Sequence, residues 1–245
     1  HNSYSVLTPY FENKKLKKQF YYTLKYVSKP YKRLSAFIRD HVHGIIASDI
    51  EYHIPLLHIK KYKGMIPNPI NVDKIQFQTL PVEDKIRIFH GINTWNYTKK
   101  GNRYFEAALQ RIVEKYPGRV IVKTAKSVPY NTYINMYNDC HILLDQVYSY
   151  DQGYNALEAM AKGKVVFTGA EAVFTQHYKL TQPVAVNALP DVDYLVEKLS
   201  FFIENPQEIT IMGENARAFI EDHHHYVKVA GHYLKTWMDN SSAGV

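Results

Sequence analysis

From Ile86 onward, short apolar runs alternate with stretches of helical periodicity, and this alternation restricts the fold more than any other feature. Ile86-Arg87-Ile88-Phe89, Val120-Ile121-Val122, Ile142-Leu143-Leu144 and Val165-Val166-Phe167 have strand length and β-branched or aromatic character. Helical patterns fill the gaps: residues 102–116, with Tyr104, Ala108, Ile112 and Val113 inward, then 130–137, then the segment after Gly153. Strands apolar on both faces and separated by helices predict an α/β fold with a mostly parallel, Rossmann-like sheet covered on both sides. Ligands of such sheets bind beyond the carboxyl ends of the strands. The loops after Phe89, Val122 and Asp145 are expected to gather there. Helices follow at about 191–204, 206–222 and 226–238, the first two separated by Asn205-Pro206.

Upstream, His43-Gly44-Ile45-Ile46-Ala47-Ser48 reads as a buried strand and residues 49–61 as helical. The string Gly64-Met65-Ile66-Pro67-Asn68-Pro69-Ile70 follows. Its two prolines forbid helix and hold the preceding residues extended, marking a boundary between two units. The expected division is a partial N-terminal α/β unit over 1–66, a C-terminal ligand-binding domain over 67–225, and a final helical segment over 226–245. Val229, Tyr233 and Trp237 would offer that last segment a packing face.

Charge follows the same division. Residues 1–74 carry 13 Lys and Arg against 5 Asp and Glu, whereas the remainder carries 17 against 18. Between Glu12 and Val27, Leu16, Phe20, Leu24 and Val27 recur at helical spacing among Lys14, Lys15, Lys17, Lys18 and Lys25. Such a segment suits an anionic membrane surface, an acidic acceptor or plain solvation. No nucleic-acid-binding motif accompanies the charge, so nucleic acid is not an expected partner. No apolar run of membrane-spanning length occurs, and a cytoplasmic protein, peripheral on the inner face of a membrane, is expected. The single Cys140 reads as a core thiol of a reducing compartment. Consecutive His223, His224 and His225 point in different directions on a helix and read as surface histidines. No Cys/His or paired-carboxylate set has metal-ligand spacing, and no cofactor or metal is expected.

The densest chemistry lies in Gly153-Tyr154-Asn155-Ala156-Leu157-Glu158-Ala159-Met160-Ala161-Lys162-Gly163-Lys164-Val165-Val166. It reads as a glycine loop, a short helix and a tight turn into a strand. Gly153, Tyr154 and Asn155 open the helix, whose free N–H groups suit an anion, and Glu158 falls one turn in. A carboxylate beside a helix N-terminus fits a ligand that is part phosphate and part sugar hydroxyl. Similarly, the loop from Gly91 to Lys100-Gly101 precedes a helix and brings a lysine that would neutralise a diphosphate. Val128, Pro129 and Tyr130 form a candidate wall for a flat ring. Tyr148, Tyr150 and Asp145-Gln146 lie at the same strand edge.

The segment from Glu158 to Val166 resembles the nucleotide-sugar site of the group 1 glycosyl transferases, retaining enzymes of the GT-B fold. Their pattern is Glu, seven residues, then Glu-Ala-Met-Ala-x-Gly-x-Pro/Val-Val. The resemblance implies that Glu158 holds the donor ribose and that Lys100, Gly91, Gly153, Tyr154, Asn155 and Tyr130 line the donor site. The family's first glutamate falls at Tyr150, with Asp151 beside it, so Tyr150 and Asp151 are the candidate catalytic residues. The family's arginine after the loop glycine is replaced by Ile92. The implied reaction moves a sugar from a nucleotide diphosphate sugar to a saccharide or lipid-linked hydroxyl acceptor, without a metal. A nucleotide-sugar epimerase of the same fold, a non-catalytic nucleotide-sugar binding module and a membrane-docking module stay open at this point.

Overall fold

A computed structural model of the protein describes residues 28–78, 80–82 and 84–241. The basic segment over 12–27 lies outside the described residues. The N-terminal part comprises α1 (Lys29–His41), β1 (Ile45–Ala47), α2 (Ile50–Leu56) and β2 (Tyr62–Met65), with β1 and β2 paired in parallel. Sequence periodicity ran the helix on to residue 61 and saw no β2. Pro55 closes α2 early, and β2 exists through its pairing with β1 rather than through any strand pattern of its own.

The larger part is a five-stranded parallel sheet of β3 (Ile86–Ile92), β4 (Val120–Lys126), β5 (Ile142–Leu144), β6 (Val165–Thr168) and β7 (Val186–Asn187), ordered β4-β3-β5-β6-β7. Strands β3 and β4 outrun the sequence expectation because they pair through to Ile92 and Lys126. Gly91 is therefore a strand residue, not a loop residue. The connecting elements are α3 (Asn102–Lys115), α4 (Tyr130–Asn138), α5 (Tyr154–Ala161), α6 (Ala172–His177), α7 (Val192–Glu204), α8 (Gln207–Phe219) and α9 (Tyr226–Ser241). Helix α6 and strand β7 were not visible in the sequence, being too short to show a period.

The pleat divides the core in two. Ile86, Ile88, Ile142, Leu144, Val165 and Phe167 face α3 and α7, while Phe89, Leu143 and Val166 face α4, α5 and α8. Helix α3 is turned relative to the sequence reading. Phe105, Ala108, Leu109 and Ile112 are buried, whereas Val113 is exposed.

The two parts are joined by an extended crossing at residues 66–70. There Ile70 N–H donates to the His224 carbonyl at 2.7 Å, and Tyr226 N–H donates to the Ile70 carbonyl at 3.1 Å. Arg217 clamps the chain just beyond, donating to the carbonyls of Val72, Ile75 and Ala161. The histidine run is not a surface feature. His224 is buried with Nδ1 2.8 Å from the Asn68 carbonyl oxygen, and burial pushes its pKa down to about 4. In α9, Val229 is buried but Leu234 and Trp237 are more than half exposed. Cys140 is a core thiol, pushed up to about 12 by burial. Among the described residues, no helix is long and apolar enough to cross a membrane.

Candidate active site

In the sheet the order reverses between β3 and β5, and a cleft of about 520 Å³ opens beyond their carboxyl ends. This is where parallel α/β sheets hold ligands. Gly91, Ile92, Asn93 and Lys100 line it from the β3 side, Ala125, Ser127 and Val128 from the end of β4, and Tyr133 and Asn155 from α4 and α5. Gly91 has no Cβ because the Tyr133 ring lies over it; a Cβ there would sit 2.7 Å from a ring carbon. Ser127 turns the chain at the end of β4 with φ 53°.

Polar order in the cleft radiates from Asp145, at the end of β5. Its carboxylate takes the Lys100 ammonium at 2.7 Å, the Asn155 amide at 3.3 Å and the Thr168 hydroxyl at 3.3 Å. Asn155 in turn accepts the Tyr133 hydroxyl at 2.8 Å, and its carbonyl accepts Tyr137 at 2.8 Å. Burial, then the nearby Asp145 charge, pushes the Tyr133 phenol up to about 12, so it acts as a donor at neutral pH. Lys100 thus reaches the cleft as one half of an ion pair rather than as a lone cation. An incoming anion would share it with Asp145.

The predicted residues divide accordingly. Gly91, Lys100 and Asn155 meet at the cleft. Tyr130 does not: it is 73% exposed on the outer first turn of α4, and Tyr133, one turn on, takes the wall position instead. A helix projects residues three apart from the same face, so the aromatic was visible but its register was not. Tyr154 is turned away, its hydroxyl donating to the Pro69 carbonyl in the crossing segment at 2.6 Å. Gly153 caps α5 in extended backbone with φ −80°, and the nearest atom to a Cβ there would be 4.0 Å away. No conformational demand makes it glycine. Glu158 is half-buried on α5 beside Tyr133, Tyr137 and Tyr154, outside the lining of the cleft.

Tyr150 and Asp151 form a different structure. The loop carrying them lies against the end of β6, where a Cβ on Gly169 would be 2.5–2.7 Å from three of its backbone atoms. From the other side it meets the N-terminus of α2. Asp151 accepts the Ile50 N–H at 2.7 Å, and Glu51 reciprocates by accepting the Tyr150 N–H at 2.7 Å and the Ser149 hydroxyl. Asp49 caps α2 from within, accepting the Tyr52 N–H at 3.1 Å. Asp49, Glu51 and Asp151 bring carboxylate oxygens within 4.8 Å of one another. Sequence spacing showed no such set, because Asp151 is about a hundred residues from Asp49 and Glu51. Burial, reinforced by hydrogen bonding to Glu51, pushes the Asp151 carboxyl up to about 9. It fastens the two parts of the chain, and burial beside Glu51 favours its protonated form. The structure places it at this junction, beside Ile50 and Ser149.

At the opposite edge of the sheet a hollow of about 600 Å³, bordered by Val186, Phe201 and Met212, holds none of the predicted site residues.

A parallel sheet with its cleft at the β3/β5 reversal and a helix opening at its edge is the architecture of a Rossmann-like α/β domain. The chain belongs to the glycosyl transferase-like family, whose model matches residues 86–235. None of the curated proteins compared with it matches in sequence. Solved structures show the same fold. Sucrose-phosphate synthase from Thermosynechococcus elongatus superposes with TM-score 0.64 and 16% identity, over 91% of this chain and 66% of that one. Anabaena HepE, solved with UDP and glucose, gives 0.62 and 15%, over 86% and 68%. A point mutant of S. aureus TarM, in complex with fondaparinux, alpha-GlcNAc-glycerol and UDP, gives 0.61 and 13%, over 86% and 46%. The chain therefore spans about half the length of TarM and about two thirds of the other two.

Proposed function

We propose that this chain binds a nucleotide diphosphate sugar in the β3/β5 cleft and supplies the donor half of a glycosyltransferase. On this reading 67–225 is the donor domain, 1–66 belongs to the acceptor side, and the helix after 226 bridges them. The observation that carries it is the Lys100–Asp145–Asn155–Tyr133 network at the mouth of α5, directly upstream of the Glu158 segment. UDP in the HepE and TarM structures supports the choice of nucleotide. Fixed donors at Lys100, Asn155 and the α5 N-terminus would meet the diphosphate as it gains charge on departure. Retention at the anomeric carbon and a role in polysaccharide or glycolipid synthesis are part of the proposal, and no metal or cofactor is invoked.

Calorimetry with UDP, GDP, ADP and their sugar conjugates tests it. UDP and a UDP-sugar are expected to bind, and Lys100→Ala, which removes the cation lining the cleft, to weaken them at least tenfold, about 1.4 kcal/mol. If no nucleotide binds, the donor-site reading is wrong.

A membrane surface, as the place where a lipid-linked acceptor is met, is supported by α1. Its apolar face points outward: Leu34, Phe37 and Ile38 are about half exposed, while Ala36 on the other side is its more covered residue. Lys32, Arg33 and Arg39 flank that face, as in helices that lie in an anionic interface. Vesicles containing phosphatidylglycerol are expected to retain the protein at low salt and release it in about 1 M salt, where screening is short-ranged. Leu34→Glu with Phe37→Glu should abolish retention. Equal retention on neutral vesicles would count against an electrostatic surface.

A further inference from the structure

His90 is the one fully buried imidazole on the core face of β3, in line with Ile86 and Ile88. Phe105 packs edge-on against it at 5.5 Å. Its Nε2 lies 2.8 Å from Asn102 Oδ1, and its Nδ1 has no hydrogen-bond partner. The Asn102 amide nitrogen donates to the Tyr97 carbonyl at 2.9 Å, which leaves Oδ1 as the acceptor and puts the His90 proton on Nε2. An orphan acceptor in an apolar layer is unfavourable, and a leucine there would remove it. The imidazole makes physical sense at this place only for what Nε2–H does.

What it does is orient Asn102. The Tyr97 carbonyl receives both the Asn102 side chain and the Asn102 backbone N–H, at 3.1 Å, closing residues 97–102 into a ring of hydrogen bonds. Within that ring Lys100 N–H donates to the Asn96 carbonyl at 2.8 Å, and the Lys100 carbonyl accepts Val147 N–H at 3.0 Å. Gly101 lies at φ 68°, with a Cβ position only 2.0 Å from Val147. The loop is thereby pressed onto the residues after β5, and Lys100 is aimed at the cleft.

We propose that His90 is a positioning residue for the diphosphate end of the cleft: its Nε2–H locks Asn102, and Asn102 holds the loop that presents Lys100. This rests on the donor-site reading for its ligand but not for its structural content. His90→Phe removes the donor and keeps the ring. His90→Gln keeps an N–H near the Nε2 position and puts an amide oxygen in place of the orphan nitrogen. Asn102→Asp keeps the acceptor for His90 but strips the donor to Tyr97.

Two readouts are taken on the whole chain. In hydrogen exchange, His90→Phe and Asn102→Asp should speed exchange of the Lys100, Gly101 and Asn102 amides about tenfold, the scale of one lost hydrogen bond, leaving β5 unchanged. His90→Gln should resemble wild type. In calorimetry, His90→Phe should weaken UDP about tenfold and uridine, which lacks phosphate, by less than about twofold. Wild-type exchange in His90→Phe, or loosening in His90→Gln equal to that in His90→Phe, overturns the proposal. So does an equal loss for uridine and UDP. Should His90→Phe not fold, Asn102→Asp and His90→Gln still decide the matter. Should wild type bind no nucleotide, the donor-site reading fails while the exchange result stands by itself.

Discussion

Replacing Asp145 by alanine is expected to lower the unfolding free energy by about 3–5 kcal/mol, the scale for removing one partner of a buried ion pair. The Asp145 side chain is 1% exposed and is the common acceptor for Lys100, Asn155 and Thr168. Alanine strands all three donors, and the Lys100 charge is left at the cleft with no counterpart. Asp145→Asn keeps the shape and one acceptor oxygen, so its loss should be clearly smaller. Urea unfolding monitored by circular dichroism reads both variants. A loss below about 1 kcal/mol for alanine would mean that water, not Asp145, satisfies these donors. The same experiment bears on function. Asp145→Asn releases Lys100 from its pair, so pyrophosphate should bind more tightly to that variant than to wild type.

Raising the pH from 6.5 to 8 is expected to remove about 2 kcal/mol of the stability that the Asp151 carboxyl contributes to the wild-type chain. Its folded pKa is raised to about 9 from 3.8. The folded state therefore holds a proton that the unfolded chain releases, so this stabilisation is full below about pH 4 and fades as pH climbs towards 9. On the acid side the sign reverses. Burial pushes His141 and His224 down to about 4 from 6.5 in the folded state and lowers His90, His177 and His223 as well, so their contribution is present above pH 6.5 and lost as pH falls. Lys164, pushed down to about 8 by burial, adds a term that grows only above pH 8. Asp151→Asn, which accepts from Ile50 and donates to Glu51 without titrating, should abolish the alkaline decline. The gap between its Tm and that of wild type should widen by about 4–8 °C between pH 6.5 and pH 8. Parallel pH profiles for the two proteins would show that Asp151 is ionised in the native state.

These two residues also show what a sequence yields and what it withholds. Asp145 was visible because a carboxylate directly after the apolar run Ile142-Leu143-Leu144 must lie at the carboxyl edge of a parallel strand. Asp151 was visible as a carboxylate next to Tyr150, but its neighbours were not. Glu51 is a hundred residues away, and no local pattern records that α2 would be capped from across the molecule. Tyr133 shows a subtler limit. The first turn of α4 was recognised as a wall of the cleft, yet which aromatic faces inward depends on the rotation of α4 against Phe89 and Gly91. His90 gave no signal, since its meaning lies in an orphan nitrogen and a bond to Asn102.

The order of buried strands and helices from Ile86, the proline-marked crossing at 66–70 and the Gly153–Val166 segment were determined by sequence alone. Each is a local consequence of side-chain period, backbone restriction or turn chemistry. Strand order, the reversal that opens the cleft, the pairing of Lys100 with Asp145 and the Asp151–Glu51 fastening were decided only by tertiary structure. Each joins residues tens to a hundred positions apart. What a charged group does depends on whether its neighbours in space, not in sequence, take up its charge.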